Sequence, residues 1–580
     1  MQTLRAFLHS PLARHPGLLG RKVAARLRLY REQIPAPAPG PLAVVYPPFW
    51  AEALRRWVQQ VQLQPPPHPF NRVFGHDLDE AMLLSLCREG PRRTGDGLTA
   101  DVKLGWEYSR GQPLFTNAAA DPARPAPCAA FIHRWLDANA NTTGPAWGCA
   151  MEIAIRAVNW VFADSLFSGG LGRQIGEREW AGWLWRHGWL IWRRLESRLV
   201  SSNHYLADLL GLLVIGTIFP DDAHARRWRR FARREFPRAL LAQTRSDGGL
   251  IEASLRYHAY ATEMALLFRL AQGTPFPHPV ERRLQRMCRI VAEFRDATGE
   301  VFPFGDDDSG RVLALDFAAK AGRVEILLRL ASSLLQERFE SSGQAVFPHS
   351  GWWVRRAGDF AVALDFGGVG LYGAGAHAHN DDFSFCLDWQ RQTVITDPGT
   401  CLYTGDPETR NRFRSTLAHN TLVVDGREQN DLDADLFKLP GSDKAFRADR
   451  LEGQMWAFTR QAAPGISHRR EVSLDSDGLL IRDVVGGAGR HKVQWRFHLH
   501  PAVQPHLRAQ GFTLAVPGTG ALCLESPAPD LALKVLPSAY SPLYSWSLPA
   551  QACAAETEAA LPMAVKWRLR LAQMPLKASG

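Results

Sequence analysis

Near residue 345 the spacing of apolar residues changes from a period of 3.6 to a period of 2, and no single regular element accommodates both. Upstream, Glu177–Val200 carries Trp and Leu three and four residues apart. Similar spacing recurs in Ala150–Phe167, Tyr205–Phe219, Ala225–Phe236 and Ser254–Gln272. Loops bearing Gly, Pro, Asn or Asp separate these stretches, and many helices of similar length predict a toroid of helical hairpins. Downstream, Trp352–Arg356, Phe360–Phe366, Phe383–Trp389, Thr393–Thr396, Thr421–Val424, Glu471–Leu474, Leu479–Val484 and Val493–His500 alternate as strands. Turn signals such as Asp425-Gly426 and Asp477-Gly478 fall between them, predicting an antiparallel β-sandwich. The expected organisation is a basic arm with a Pro-rich linker over residues 1–48, an incomplete (α/α) toroid over 49–344 and a β-sandwich over 345–580.

Composition narrows the function classes. With 46% hydrophobic and 22% charged residues, a chain of 580 is globular and large enough for more than one domain. The formal charge of +10 favours a polyanionic partner: nucleic acid, anionic membrane or acidic polysaccharide. Part of that excess sits in Arg-studded helices such as Arg226–Arg234. The 19 Trp residues suggest large buried surfaces, sugar-stacking platforms, or both. None of the 8 cysteines forms a CxxC pair, which excludes zinc ribbons and thioredoxin-like motifs. No stretch approaches the ~20 apolar residues of a membrane span. The N-terminal arm is interrupted by Arg, His and Pro and does not read as a secretory signal. The expectation is therefore a cytoplasmic protein, with the periplasm as the alternative.

Four short segments concentrate chemically useful residues. Ser201-Ser202-Asn203-His204-Tyr205 opens one helix, where Ser202 or Asn203 is a natural N-cap. Asp247 to Tyr260 runs from a Gly-Gly loop through Glu252 and Ser254 to Arg256, Tyr257 and His258. His377-Ala378-His379-Asn380-Asp381-Asp382 precedes a strand, and Thr396-Asp397-Pro398-Gly399 and Ala418-His419-Asn420 follow. His379, Asp397 and His419 stand 18 and 22 residues apart at predicted strand ends, a plausible zinc set. His498-Leu499-His500 is also HxH, but its alternation with Trp495 and Phe497 reads as two-faced strand packing.

In combination, SSNHYLADLLGLL, DGGLIEASLRYHAYATEMALL, HAHNDDFSF, VITDPGT and STLAHNTLVVDG resemble the heparinase II/III-like polysaccharide lyases, which include related alginate and oligo-alginate lyases. DVKLGWEYSR and GPAWGCAMEIAIRAVNW resemble the helical domain of that family. The resemblance implies an incomplete (α/α) toroid followed by an antiparallel β-sandwich. It also implies β-elimination on a uronic-acid polymer at a site between the domains. By motif position, Asn203 neutralises the uronate carboxylate with His204 assisting, Tyr257 carries the proton, and His377 is a second base or neutraliser. His379, Asp397 and His419 match the structural metal positions, usually zinc. HAHND stands where the family often has HGHAD, with His377, His379 and Asp381 retained. Tyr260 and Tyr403 are alternatives to Tyr257, and Arg256 or His258 is expected to lower the phenol's pKa. Arg256, Tyr260, Trp106, Arg156 and Glu152 are candidate cleft residues.

Two other classes compete. A glycoside hydrolase needs two carboxylic acids flanking the scissile bond, for which Glu252 and Asp306-Asp307-Asp308 are available. A non-catalytic polysaccharide-binding or exopolysaccharide assembly factor is expected to have lost Tyr257 or Asn203, and both are present. The expected partner is an acidic polysaccharide or oligosaccharide, not nucleic acid.

Overall fold

A computed structural model of the protein describes residues 42–572, apart from 64–68, 74–75, 91–100, 198–200, 433–434, 444–445 and 453–454. The basic arm expected over residues 1–48 lies outside the described residues up to position 41. The chain forms two compact units. One comprises Met1–Gly248, Ala259–Cys288 and Gly310–Phe339, and the other Gly249–His258, Arg289–Ser309 and Glu340–Gly580. Two excursions of the helical sequence thus belong to the β unit. Local bonding explains it: the Leu371 amide donates to the Ile251 carbonyl at 2.7 Å, and the Asp306 amide donates to the His377 carbonyl at 2.8 Å.

The first unit is helical. Every residue of Ala150–Leu166 is buried, as is nearly all of Asn203–Ile218, because both helices are apolar around most of their circumference. They approach closely: a Cβ on Gly211 would stand 2.7 Å from the Cβ of Ala154. Glu177–Arg194 packs beside them, where a Cβ on Gly188 would stand 2.5 Å from the Trp228 ring. This helix is shorter than its periodicity predicts, because Leu195 turns to an extended ψ of 125°. Ala223–Gln243 starts at Asp222, whose carboxylate accepts from the Ala225 amide at 2.7 Å. Among the described residues no helix is long and apolar enough to cross a membrane.

The second unit is built on antiparallel sheets. Five strands run in chain order: Gln344–Phe347, Trp352–Ala357, Phe360–Asp365, Phe385–Trp389 and Gln392–Ile395. A four-stranded sheet is ordered Ala532–Tyr540, Leu548–Ala560, Arg490–His498, Leu422–Val424. An eight-stranded sheet places Met563–Leu571 between Gly520–Glu525 and Gly478–Gly486, so the last strand among the described residues lies mid-sheet. Side chains from all three meet in one apolar core that includes Trp353, Phe385, Leu422, Phe458, Trp495 and Trp567. All strands after residue 500 lie beyond the period-2 segments read from the sequence. The cysteines are free thiols.

Candidate active site and metal centre

The helix Leu255–Gln272 begins inside the β unit. Ser254 fixes its first turn: its hydroxyl accepts from the Tyr257 amide at 3.1 Å and donates to the Asp306 carbonyl at 2.6 Å. Tyr257 is thereby set with its ring stacked on the His377 imidazole, 4.0 Å between centroids at 20°. Its hydroxyl is 2.9 Å from that of Tyr403. Burial pushes the Tyr257 phenol well above its ordinary value of about 10, and the carboxylates of Asp308, Asp306 and Glu252 push the same way. Arg256 does not offset them, because Glu300 at 2.8 Å, Asp296 and Asp307 engage its guanidinium. The expectation that cationic neighbours lower this pKa is therefore corrected: burial and the surrounding carboxylates favour the protonated phenol.

Asp306 organises the histidines. One carboxylate oxygen accepts from His377 Nδ1 at 3.0 Å, and the other from His379 Nε2 at 2.8 Å. Arg410, fully buried, spans both oxygens, with Nη2 at 2.8 Å from Oδ2 and Nη1 on Oδ1. Burial alone would raise the Asp306 pKa, but Arg410 and the two imidazoles outweigh it and hold the group well below the usual carboxylate range. An ionised carboxylate only accepts, so His377 carries its proton on Nδ1 and His379 on Nε2. His377 Nε2 lies 3.4 Å from Glu252 Oε2. Gly305 is required here: at φ +68° its Cβ would stand 2.6 Å from the Ala253 carbonyl and 2.7 Å from that of His377.

Beside this network His379, Asp397 and His419 are all buried, and one ligand atom from each lies within 4.8 Å of the others. His419 Nδ1 donates to Asp397 Oδ2 at 2.7 Å. His379 Nδ1 and His419 Nε2 are buried with no hydrogen-bond partner among the described residues. Two buried imidazole lone pairs with a carboxylate beside them fit a divalent cation of the zinc type. In contrast, both nitrogens of His498 are satisfied, by the Ser538 hydroxyl at 2.8 Å and the Leu417 carbonyl at 3.0 Å. Asn420 ties the motif loops together: its amide donates to the Phe385 and Thr396 carbonyls at 2.8 and 2.9 Å, and its oxygen accepts from the His498 amide at 2.6 Å. Buried Arg470, paired with Asp483, donates to the carbonyls of Phe383 and Asn420 at 2.6 and 2.8 Å.

The helical unit holds the other candidate constellation. Asn203 is the first residue of its helix and fully buried; Ser202 is the cap position but makes no side-chain capping bond. His204 Nδ1 is 2.7 Å from Glu196 Oε2, and the Cys149 thiol donates to the other Glu196 oxygen at 3.1 Å. Burial would raise the Glu196 pKa, but His204 outweighs it and holds the carboxyl low. Arg110 meets Glu152 with two bonds of 2.8 Å, so Glu152 is ionised and internally paired.

The remaining candidates are placed as follows. Arg156 is 0% exposed, its guanidinium 4.4 and 4.5 Å from the Trp135 and Trp147 rings, so it has no surface with which to meet a polymer. Trp106 is half-buried and donates to the Pro145 carbonyl. Tyr260 is buried and belongs to the helical unit, whereas Tyr257 belongs to the β unit. Sequence reasoning missed Arg410 and Glu196, and it took Asp306 only as a hydrolase acid. The signal available for Asp306 was a Gly-Asp step in a Phe-flanked segment; nothing local marked the other two.

Residues 195–306 match the family description "Heparinase II/III N-terminus" and residues 340–568 match "Heparinase II/III-like, C-terminal", together more than half the chain. The chain belongs to the heparinase II/III-like family. No curated protein sequence matches it. Among solved structures it is similar to a heparinase III, at 15% identity and TM-score 0.67 over 95% of this chain and 89% of that one. A heparan sulfate lyase mutant from Pedobacter heparinus is similar at 16% identity and TM-score 0.58, over 90% and 88%. At that identity the likeness establishes the fold: a helical N-terminal region with C-terminal antiparallel sheets. In this heparinase II/III-like chain, the Asp306 network joins the Tyr257–His377 pair to the candidate metal-ligand trio through one carboxylate.

Proposed function

We propose that the protein is a polysaccharide lyase that cleaves a uronic-acid-containing polysaccharide or oligosaccharide by β-elimination. One observation carries the proposal: a neutral tyrosine stacked on a histidine whose Nδ1 is anchored by an ionised carboxylate. That pair has the two functions elimination needs. His377 Nε2 takes the C5 proton, the C4–O bond breaks as the C4–C5 double bond forms, and the Tyr257 hydroxyl protonates the departing oxygen. Tyr403, hydrogen-bonded to Tyr257, is placed to return a proton to it. A C5–H beside an ionised carboxylate is too weakly acidic for a side-chain base, so that carboxylate must be neutralised. Asn203 and His204 are assigned to it, as donors that stabilise the charge developing in the transition state.

The incomplete (α/α) toroid and the β-sandwich typical of the family belong to the same proposal. His379, Asp397 and His419 would hold a zinc-type ion, which when bound supplies fixed positive charge and cross-links the loops around His377. Of the hydrolase candidates, Asp306 is ionised and fully engaged, so it has no proton to give as a general acid.

The test is an ultraviolet absorbance screen for the conjugated enol-ether acid against a panel of uronate polymers and oligosaccharides. Tyr257→Phe, which removes one oxygen, should keep the fold and abolish the chromophore. If Tyr257→Phe stays active, the assignment fails; chain shortening without a chromophore would point to a hydrolase instead.

A further inference from the structure

The helix Ala223–Gln243 carries a stripe of exposed arginines, Arg227, Arg230, Arg234 and Arg238, spaced three, four and four residues apart. At 1.5 Å per residue the stripe runs about 16 Å. The only acid on this helix is Glu235, which is buried and lies within 4 Å of Arg234 and Arg238. Arg227 and Arg230 pair with no carboxylate among the described residues. The neighbouring helix Glu177–Arg194 adds an aromatic surface. Trp189 is only half-buried, stacked on Trp185 at 5.5 Å and held edge-on by His224, with Arg193 over its ring at 6.0 Å. Arg227 lies over the adjacent Trp192 at 5.3 Å.

Solvating such a stripe keeps like charges together at a cost. Arg229 already depresses the pKa of exposed Arg233, after partial desolvation. An anionic chain would relieve that repulsion and release its own counterions. Planar guanidiniums suit carboxylates and sulfates bidentately, and an indole face suits the apolar face of a pyranose. A membrane surface fits less well, because none of the exposed large hydrophobic residues lies on either helix.

We propose that this face is a binding surface for an acidic polysaccharide chain, separate from the residues assigned to the reaction. Its ligand class rests on the lyase reading, but its function is to hold polymer and not to transform it. The test measures affinity of the full-length protein for alginate and heparan sulfate, with dextran as the uncharged control, across a salt series. The triple variant Arg227→Gln/Arg230→Gln/Arg234→Gln should lose at least about tenfold in affinity for a charged polymer, and its salt dependence should flatten by about two to three ions. Trp189→Ala should lose roughly three- to tenfold with an unchanged salt slope. Turnover of a short oligosaccharide by the triple variant should equal wild type.

Unchanged polymer affinity in the triple variant, or no binding of either charged polymer by wild type, overturns the surface. Equal losses of binding to double-stranded DNA and phosphatidylserine vesicles overturn its assignment to a sugar chain. Polymer binding lost in the variant while wild type makes no unsaturated product supports the surface and rejects the lyase reading. Full product formation with unaltered polymer binding does the reverse.

Discussion

Replacing Asp306 by Asn removes one charge and almost no volume at the point where His377, His379 and Arg410 converge. Arg410 is fully buried and its guanidinium is bidentate to this carboxylate, so the variant leaves a cation in the interior without its counter-charge. Breaking one partner of a buried pair costs about 3–5 kcal/mol. At about 2–4 °C per kcal/mol for a domain of this size, the Tm should fall by roughly 6–20 °C. The neutral amide also presents an N–H where one imidazole now donates, so at least one histidine loses its anchor. Calorimetry at pH 7 gives the first readout and unsaturated-product formation the second. Asp435→Asn is the control: its exposed pair with Lys438 at 3.4 Å is worth about 0–1 kcal/mol. An Asp306→Asn melt within about 2 °C of wild type would falsify the claim that this carboxylate balances Arg410.

Two further outcomes follow from buried groups. Elemental analysis should find about one zinc-type ion per chain, lost in His419→Ala and in His379→Ala; metal-free protein that keeps its full Tm counts against the centre. Asp388 is pushed up to about 7, first by burial and then by repulsion from Asp296. Its folded pKa exceeds its unfolded one, so the stabilisation is complete below about pH 4 and is lost as pH rises through 7. The full shift corresponds to about 4 kcal/mol. Asp388→Asn can still accept from the Ala297 amide now bonded at 2.7 Å, so it should remove the slope between about pH 4 and 7 and melt above wild type at pH 8. A slope that survives in the variant refutes this assignment.

Much of the helical half and the first strands of the β half were legible because their periodicity is a local property. Asn203–Ile218 and Leu255–Gln272 begin within two residues of the segments read from apolar spacing. The motif histidines were legible as well, since HxH and the following Asp-Pro-Gly and His-Asn steps are short. The strands after residue 500 were not. Leu548–Ala560 contains QACAAETEAA, whose Ala and Glu favour helix, yet it lies between Ala532–Tyr540 and Arg490–His498. Neighbouring strands override that propensity, pairing Ala552–Glu556 on both edges.

By itself the sequence determined the two-part α-then-β organisation, the family, and which short motifs carry the candidate site residues, because each depends on residues close together in the chain. Only the tertiary structure decided how those side chains are wired. Asp306 lies 71 residues before His377 and 104 before Arg410, and nothing local announces that one carboxylate anchors two imidazoles and a guanidinium. Tyr257 was expected to be softened by its cationic neighbours. Burial and surrounding carboxylates hold its proton more tightly instead, since a pKa answers to charges in space and not to adjacency in sequence.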